Sequence, residues 1–252
     1  MKDNLNRPIH IRQFRFPYVI VIIVFGLGLA AQGCSRSNNR HHSGIDWFPE
    51  LGYLEPQPER GFYFIPDLKA YQQTTEYTCG PAALMALSRY YGVPEIRYDT
   101  ATEMRVAAEA GTRNLNIAPE QGKPGTKPDE MKRWLQQKGL EVELIYESQG
   151  DGSALDRLRD NTRRRIPTLI EWADLTGHWA IVVGYDTRGN QNPWDDVIIL
   201  ADSYDRYDDY TDGYSFMNAN RFYWLWFDAF YFDTLTWRTM ITVQPHSQSE
   251  ER

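Results

Sequence analysis

Cys79 is the residue of this chain best placed for nucleophilic chemistry. It stands in the sequence Cys79-Gly80-Pro81, and a run rich in alanine and leucine continues to Tyr91. Alanine and leucine favour helix, proline suits a first helical turn, and Gly92 favours a helix end. The pattern predicts that Cys79 lies at or just before a helix N-terminus. The positive end of the helix dipole favours a thiolate over a thiol, so this cysteine has the position of a nucleophile.

A cysteine nucleophile needs a base, and position and elimination select His178. Of the five histidines, His178 stands at the start of an apolar segment within the predicted domain. The other four lie in segments predicted to be removed or exposed: His10, His41, His42 and His246. A single histidine at a strand start is usually structural, but the presence of Cys79 as the other reactive candidate favours the role of base.

The base needs a third group to hold its other ring nitrogen. Residues 178–185 and 197–201 are predicted to be two apolar strands joined by a polar turn. With the turn centred near Asn190, paired positions of an antiparallel hairpin sum to about 380, which puts Asp202 opposite His178. Asp186 is a poorer candidate, because eight residues along the same strand span about 26 Å. Asp205 is the candidate if the pairing is shifted.

Gln73 is the candidate for stabilising a reaction intermediate. It lies six residues before Cys79, and a loop of that length can bring its side-chain amide beside the sulfur. An amide N–H there would donate a hydrogen bond to the oxyanion that forms when sulfur attacks a carbonyl. Gln72 is the alternative if the loop is displaced by one residue.

These residues resemble a known family. Gln73, five further residues, and then Cys-Gly-Pro opening an Ala/Leu-rich helix are similar to the papain-like cysteine peptidases, and most of all to the bacteriocin-processing (double-glycine leader) peptidases of family thirty-nine and their stand-alone relatives. The resemblance implies an α+β fold in which an N-terminal catalytic helix packs on an antiparallel β-sheet. It also implies the catalytic order Cys79, His178, Asp202, a peptide or protein substrate, and no cofactor or metal.

The chain departs from the bacteriocin-processing members in one respect. Those peptidases usually stand as domains of ABC transporters, whereas this sequence has no ATPase motif and no series of spanning segments. Cleavage after a double glycine is therefore not carried over. The leading hypothesis is a cysteine peptidase or thiol amidase that acts through a thioester. The alternatives are a non-enzymatic peptide-binding lipoprotein with the same fold and a thiol acyltransferase.

The first 33 residues are predicted to be a signal peptide of the lipoprotein type. Basic residues precede a 14-residue apolar run, 18–31, which as a helix would span about 21 Å, less than a membrane core. The sequence Ala31-Gln32-Gly33-Cys34 resembles a bacterial lipobox, so Cys34 is the predicted lipidation site. An ordinary signal peptide or an uncleaved anchor is the alternative. We expect an exported protein of the bacterial cell envelope, and Ser35 favours the periplasmic side of the outer membrane in a Gram-negative source.

The remaining sequence predicts a tether at 34–61, a peptidase domain at 62–244 and a polar tail at 245–252. A hydrophobic content of 42% suits one globular domain, and a net charge of −7 without a basic cluster gives no reason to expect nucleic acid. Helices are predicted at 100–110, 129–138 and 220–232, and a further helix opens at Ser153, runs through Arg159 and ends near residues 163–165. Strands are predicted at 62–65, 140–145, 166–172, 178–185, 197–201 and 235–243.

Three further patterns have simpler explanations. The acidic residues before Gly213 do not follow the spacing of a calcium-binding loop: Asp205, Asp208, Asp209 and Asp212. The aromatic stretch 222–232 is more typical of core than of a substrate groove. The three consecutive arginines at 163–165 suit an exposed helix C-terminus.

Overall fold

A computed structural model describes residues 55–116, 122–148, 150, 152–173, 177–205, 212–228 and 235–244. The described helices are α1 (Cys79–Tyr90), α2 (Thr100–Ala110), α3 (Pro128–Gln137), α4 (Ser153–Arg163) and α5 (Ala219–Leu225). The strands are β1 (Phe62–Phe64), β2 (Glu141–Ile145), β3 (Thr168–Trp172), β4 (His178–Asp186), β5 (Val197–Ala201), β6 (Tyr214–Asn218) and β7 (Met240–Gln244).

All seven strands belong to one sheet in which every pairing is antiparallel. The strand order is β2-β7-β3-β4-β5-β6, and β1 pairs with the far end of β4. Strand β4 has neighbours along both sides, and all nine of its residues are buried. Its continuous apolar sequence suits such a central position.

Helices cover both faces of the sheet. One apolar cluster joins α1, α2 and α3 to the face that carries Leu169, Trp179 and Ile181. The other joins α4 and α5 to the face that carries Ile170, Ala180 and Val182. This arrangement follows from the alternation of side chains along each strand. The predicted α+β class, with the cysteine helix packed on an antiparallel sheet, is confirmed.

Most predicted elements are present, with three corrections. The helix predicted for 220–232 ends at Leu225, because Phe227 forms a β-bridge with Trp237 instead. The closing strand starts at Met240 rather than at residue 235. Strand β6 was not predicted; its sequence YSFMN lacks a clear alternation of apolar and polar residues, and pairing with β5 determines its conformation.

Among the described residues, no helix is both long and apolar enough to cross a lipid bilayer. The predicted signal peptide, the lipidation site Cys34 and His10, His41, His42 and His246 lie outside the described residues, as do Asp208 and Asp209.

Candidate active site

Cys79 is the first residue of α1, and its side chain is buried, with 9% of the residue exposed. The next residue must be small, because a Cβ atom at Gly80 would lie 2.6 Å from Thr126 Oγ1. The Trp179 indole donates a hydrogen bond of 3.0 Å to the Thr126 carbonyl oxygen at the same contact. The Cys-Gly pair therefore allows the start of the helix to pack closely against the start of β4.

His178 and Asp202 form a buried pair. His178 Nε2 lies 2.7 Å from Asp202 Oδ1, and the two residues are 7% and 1% exposed. The His178 side chain also interacts with Cys79. Because Nε2 faces the carboxylate, Nδ1 is the ring nitrogen left for the sulfur. The three residues thus form a continuous line of interacting groups.

The hairpin register differs from the predicted one. Val182 pairs with Leu200, and a bulge at residue 183 shifts the pairing between Val182 and Gly184. Continued beyond Ala201, this register places Asp202 across from Ala180, two residues from the predicted partner His178. The contact forms nevertheless, because diagonal positions two residues apart lie on the same face of a sheet and remain within reach of long side chains.

Asp202 is held by donors that satisfy both of its oxygens. The Tyr204 backbone N–H donates to Oδ1 at 2.8 Å, and the Ser215 hydroxyl donates to Oδ2 at 3.1 Å. The Tyr204 ring also stacks edge-on against the His178 ring, with a centroid distance of 6.0 Å. These contacts fix the orientation of the carboxylate and restrict the imidazole.

The electrostatics favour a thiolate–imidazolium pair. Burial raises the pKa of Cys79, but His178 and the backbone N–H groups of Trp179 and Gly80 outweigh it, and the pKa is lowered. Burial lowers the pKa of His178, but Asp202 and Cys79 raise it well above its ordinary value. Burial raises the pKa of Asp202, but His178 and the hydrogen bonds to the carboxylate lower it overall. All three shifts stabilise the charged forms together.

Gln73 lies next to this group through its contacts with Ser203. Its backbone N–H donates to the Ser203 carbonyl oxygen at 3.1 Å, and its Oε1 accepts from the Ser203 hydroxyl at 2.8 Å. Nε2 donates to the Thr75 carbonyl oxygen at 2.7 Å, which leaves a second N–H on the same nitrogen. Gln72 is exposed, whereas Gln73 is partly buried and hydrogen-bonded. Gln73 is therefore the better candidate for the amide of the site.

Sequence reasoning missed Glu103, which organises the loop before Cys79. Its buried carboxylate accepts from the Thr74 N–H at 2.9 Å, the Thr74 hydroxyl at 2.7 Å and the Thr78 hydroxyl at 2.5 Å. Tyr71 donates to it at 3.2 Å. Thr78 immediately precedes Cys79, so α2 positions the loop that carries Gln73 and the nucleophile. Nothing in the sequence of α2 distinguishes Glu103 from an ordinary first-turn acid.

Glu171 was also missed, although it is a charged residue in an apolar strand. It is 1% exposed, and neither carboxylate oxygen has a hydrogen-bond partner among the residues that the structure describes. Burial, together with the negative charges of Asp228 and Cys79, raises the pKa of Glu171 to about 8, although His178 opposes the shift. An unpaired acid is therefore buried within electrostatic range of the nucleophile.

Comparison with models of protein families connects this geometry to a known group. Residues 68–178 match the family described as "Peptidase_C39 like family". The chain is therefore similar to this family over a segment that is less than half of its length. The matched segment includes Gln73, Cys79 and His178, whereas Asp202 lies beyond it. The resemblance to family thirty-nine peptidases is therefore confirmed. In a comparison with curated proteins, none matches the chain.

Solved structures of C39-type peptidases are also similar. One is the peptidase domain of Streptococcus ComA, a bi-functional ABC transporter involved in a quorum sensing pathway; the identity is 18% and the TM-score 0.46, covering 71% of this chain and 98% of that chain. Another is a double glycine motif protease from an AMS/PCAT transporter in complex with the leader peptide; the identity is 14% and the TM-score 0.41, covering 71% of this chain and 91% of that chain.

Two other features lie apart from the triad. Asp205 and Asp212, two of the four aspartates before Gly213, accept hydrogen bonds from the backbone N–H groups of Gly213 and Tyr214. The described residues contain no group of three or more ligands suited to a metal ion. At the opposite end of α1 from Cys79, a cavity of about 550 Å³ is lined by Asp67, Arg89, Tyr90, Tyr91, Arg164, Arg165 and Ile166.

Proposed function

We propose that this protein is a cysteine peptidase or closely related thiol amidase that cleaves peptide or amide bonds through Cys79, His178 and Asp202. The observation that carries the proposal is the buried 2.7 Å contact between His178 and Asp202, with the imidazole also engaged by Cys79 at a helix N-terminus. A nucleophile, a base and a group that orients the base are the parts that acyl transfer through a thioester requires.

In the proposed reaction, the Cys79 thiolate attacks the carbonyl carbon of the scissile amide. The backbone N–H of Cys79 has no partner within its helix and is one donor for the oxyanion; the second N–H of Gln73 Nε2 is the other. The His178 imidazolium then gives its proton to the leaving nitrogen, and the C–N bond breaks. His178 next removes a proton from water, which attacks the thioester and releases the acid and the thiolate.

The proposed location is the cell envelope, with a lipid on Cys34. The support is the sequence at 1–34, where a basic segment, a short apolar run and a small residue before Cys34 follow one another. Incorporation of an alkyne-labelled fatty acid in the bacterial host tests this proposal. We expect incorporation into the full chain and its loss in Cys34→Ala, whereas equal labelling of both would contradict lipidation.

The activity is tested with the full chain, purified in detergent, and a peptide library analysed by mass spectrometry. We expect products that the Cys79→Ala variant does not release. Because a thioester can also be resolved by an amine, the same digestion with an added amine separates a hydrolase, which yields acids, from an acyltransferase, which yields new amides. Peptide binding by both forms without cleavage by either would favour a non-enzymatic binding protein and contradict the proposal.

A further inference from the structure

Glu171 lies on the same face of the sheet as the cysteine helix. It stands across from Trp179 in the pairing of β3 with β4, and Trp179 packs in the apolar cluster that contains Cys79. The backbone N–H of Trp179 interacts with the Cys79 sulfur. Directly paired residues have Cβ atoms about 5 Å apart, so Glu171 is a close neighbour of Trp179, and it lies within electrostatic range of Cys79.

Tyr146 lies within electrostatic range of Glu171 and of two further acidic groups. Burial and the negative charges of Asp129, Glu171 and Asp228 together raise the pKa of Tyr146 to about 12. Tyr146 is 45% exposed and Asp129 is exposed, whereas Asp228 is 2% exposed. The half-exposed Tyr146 is therefore within electrostatic range of the buried carboxyl of Glu171.

A buried carboxylate without a hydrogen bond is costly, and proteins normally pair such a group with a cation or with donors. Here the carboxyl of Glu171 has no such partner within the described residues, and the one cation found to act on it, His178, is already engaged by Asp202 and Cys79. The raised pKa keeps most of this carboxyl protonated at neutral pH, and a positively charged group brought by a substrate would favour its ionised form. A substrate bound at Cys79 brings its own groups to this place.

We propose that Glu171 forms the base of a substrate subsite beside Cys79 that binds a cationic group, namely a lysine or arginine side chain or a free amine of the peptide. This inference rests on the proposed peptidase function and specifies its substrate class. Asp228 adds negative potential at Glu171, which attracts a cation and disfavours an acidic side chain. An apolar side chain of the same length would leave the carboxyl without a partner.

The test uses the full chain and internally quenched peptides that differ at one position. At each of four positions on either side of the scissile bond, lysine is compared with norleucine, which has a similar length and no charge. We expect kcat/KM to favour lysine by at least about tenfold at one position, because a hydrogen bond to a charged group in a buried site is stronger than one between neutral groups. In Glu171→Gln this ratio should fall to within about twofold of unity, and Glu171→Asp should keep part of it.

The matched control is Glu141→Gln, which removes an exposed carboxylate from β2 and should leave the ratio unchanged. Circular dichroism verifies that each variant is folded. If Glu171→Gln does not fold, the lysine-to-norleucine ratios of Glu171→Asp and the wild type decide whether the subsite exists. Cleavage of the peptides without a lysine preference at any position, or a preference that persists in Glu171→Gln, would overturn the subsite while the peptidase function stands. Failure of the wild type to cut any peptide would instead overturn the peptidase function, and the subsite with it.

Discussion

Replacing Glu171 with glutamine should change the pH dependence of folding stability. The Glu171 pKa rises from 4.5 in the unfolded chain to about 8 in the folded protein, first because the carboxyl is buried and then because Asp228 and Cys79 are negative. Below pH 4.5 the group is protonated in both states and has no effect. As the pH rises towards 8, the unfolded chain loses this proton more readily than the folded protein, so the free energy of unfolding falls.

The size of the effect follows from the two pKa values. One pKa unit corresponds to about 1.4 kcal/mol, so ionisation of Glu171 should reduce the free energy of unfolding by about 1 kcal/mol at pH 5 and about 3 kcal/mol at pH 7. Glutamine has nearly the same shape and does not ionise. From pH 5 to pH 7, the free energy of unfolding of Glu171→Gln should therefore rise by about 2 kcal/mol relative to that of the wild type.

Urea denaturation at pH 5 and pH 7, followed by tryptophan fluorescence, measures this difference. Glu141→Gln is again the control, because its exposed carboxylate stays hydrated in both states and the substitution should leave the pH dependence unchanged. If the stability difference between Glu171→Gln and the wild type is the same at both pH values, Glu171 is not an unpaired buried acid, and the electrostatic reasoning about the site is wrong.

Three further substitutions test how the site is held together. Gly80→Ala should reduce stability by about 1 to 3 kcal/mol in thermal unfolding and slow peptide cleavage, because the new methyl group would meet Thr126; an unchanged rate would refute this contact. Glu103→Gln should lower kcat/KM by about tenfold, because the buried carboxylate accepts several hydrogen bonds that together stabilise the loop before Cys79 by a few kcal/mol. Unchanged cleavage would show that Glu103 does not position this loop for catalysis. Asp202→Asn should reduce kcat by about 100-fold or more and move the alkaline limb of the pH–rate profile to lower pH, because the carboxylate that raises the His178 pKa is removed; an unmoved limb would argue against that coupling.

The sequence is sufficient to predict the elements that carry the triad. Cys79 opens α1 because a proline and a run of helix-forming residues follow it, and β4 is recognisable as an apolar run bounded by polar turns. The hairpin between β4 and β5 places His178 and Asp202 on one face for any register that differs by two residues. The contact was therefore predictable even though the predicted register was wrong.

The supporting contacts were not predictable, because they depend on tertiary packing. Glu103 approaches Thr74 and Thr78 only because α2 packs on α1, and no local pattern encodes that placement. The bulge at residue 183 sets the final register. It lies next to Gly184, where a Cβ atom would be only 2.7 Å from the side chain of Ile199. Glu171 could have been noticed in the sequence, because a charged residue within an otherwise apolar strand indicates either a structural ion pair or a functional site.

The reactivity of Cys79 at low pH tests the central claim most directly. Alkylation of the full chain by iodoacetamide at pH 6, with the labelled residue identified by mass spectrometry, reports the thiolate population. Because an isolated thiol with a pKa of about 8.5 is less than about 1% ionised at that pH, labelling of wild-type Cys79 should be about 100-fold faster than in His178→Ala. Equally slow labelling of both forms would contradict the proposal that His178 holds Cys79 as a thiolate.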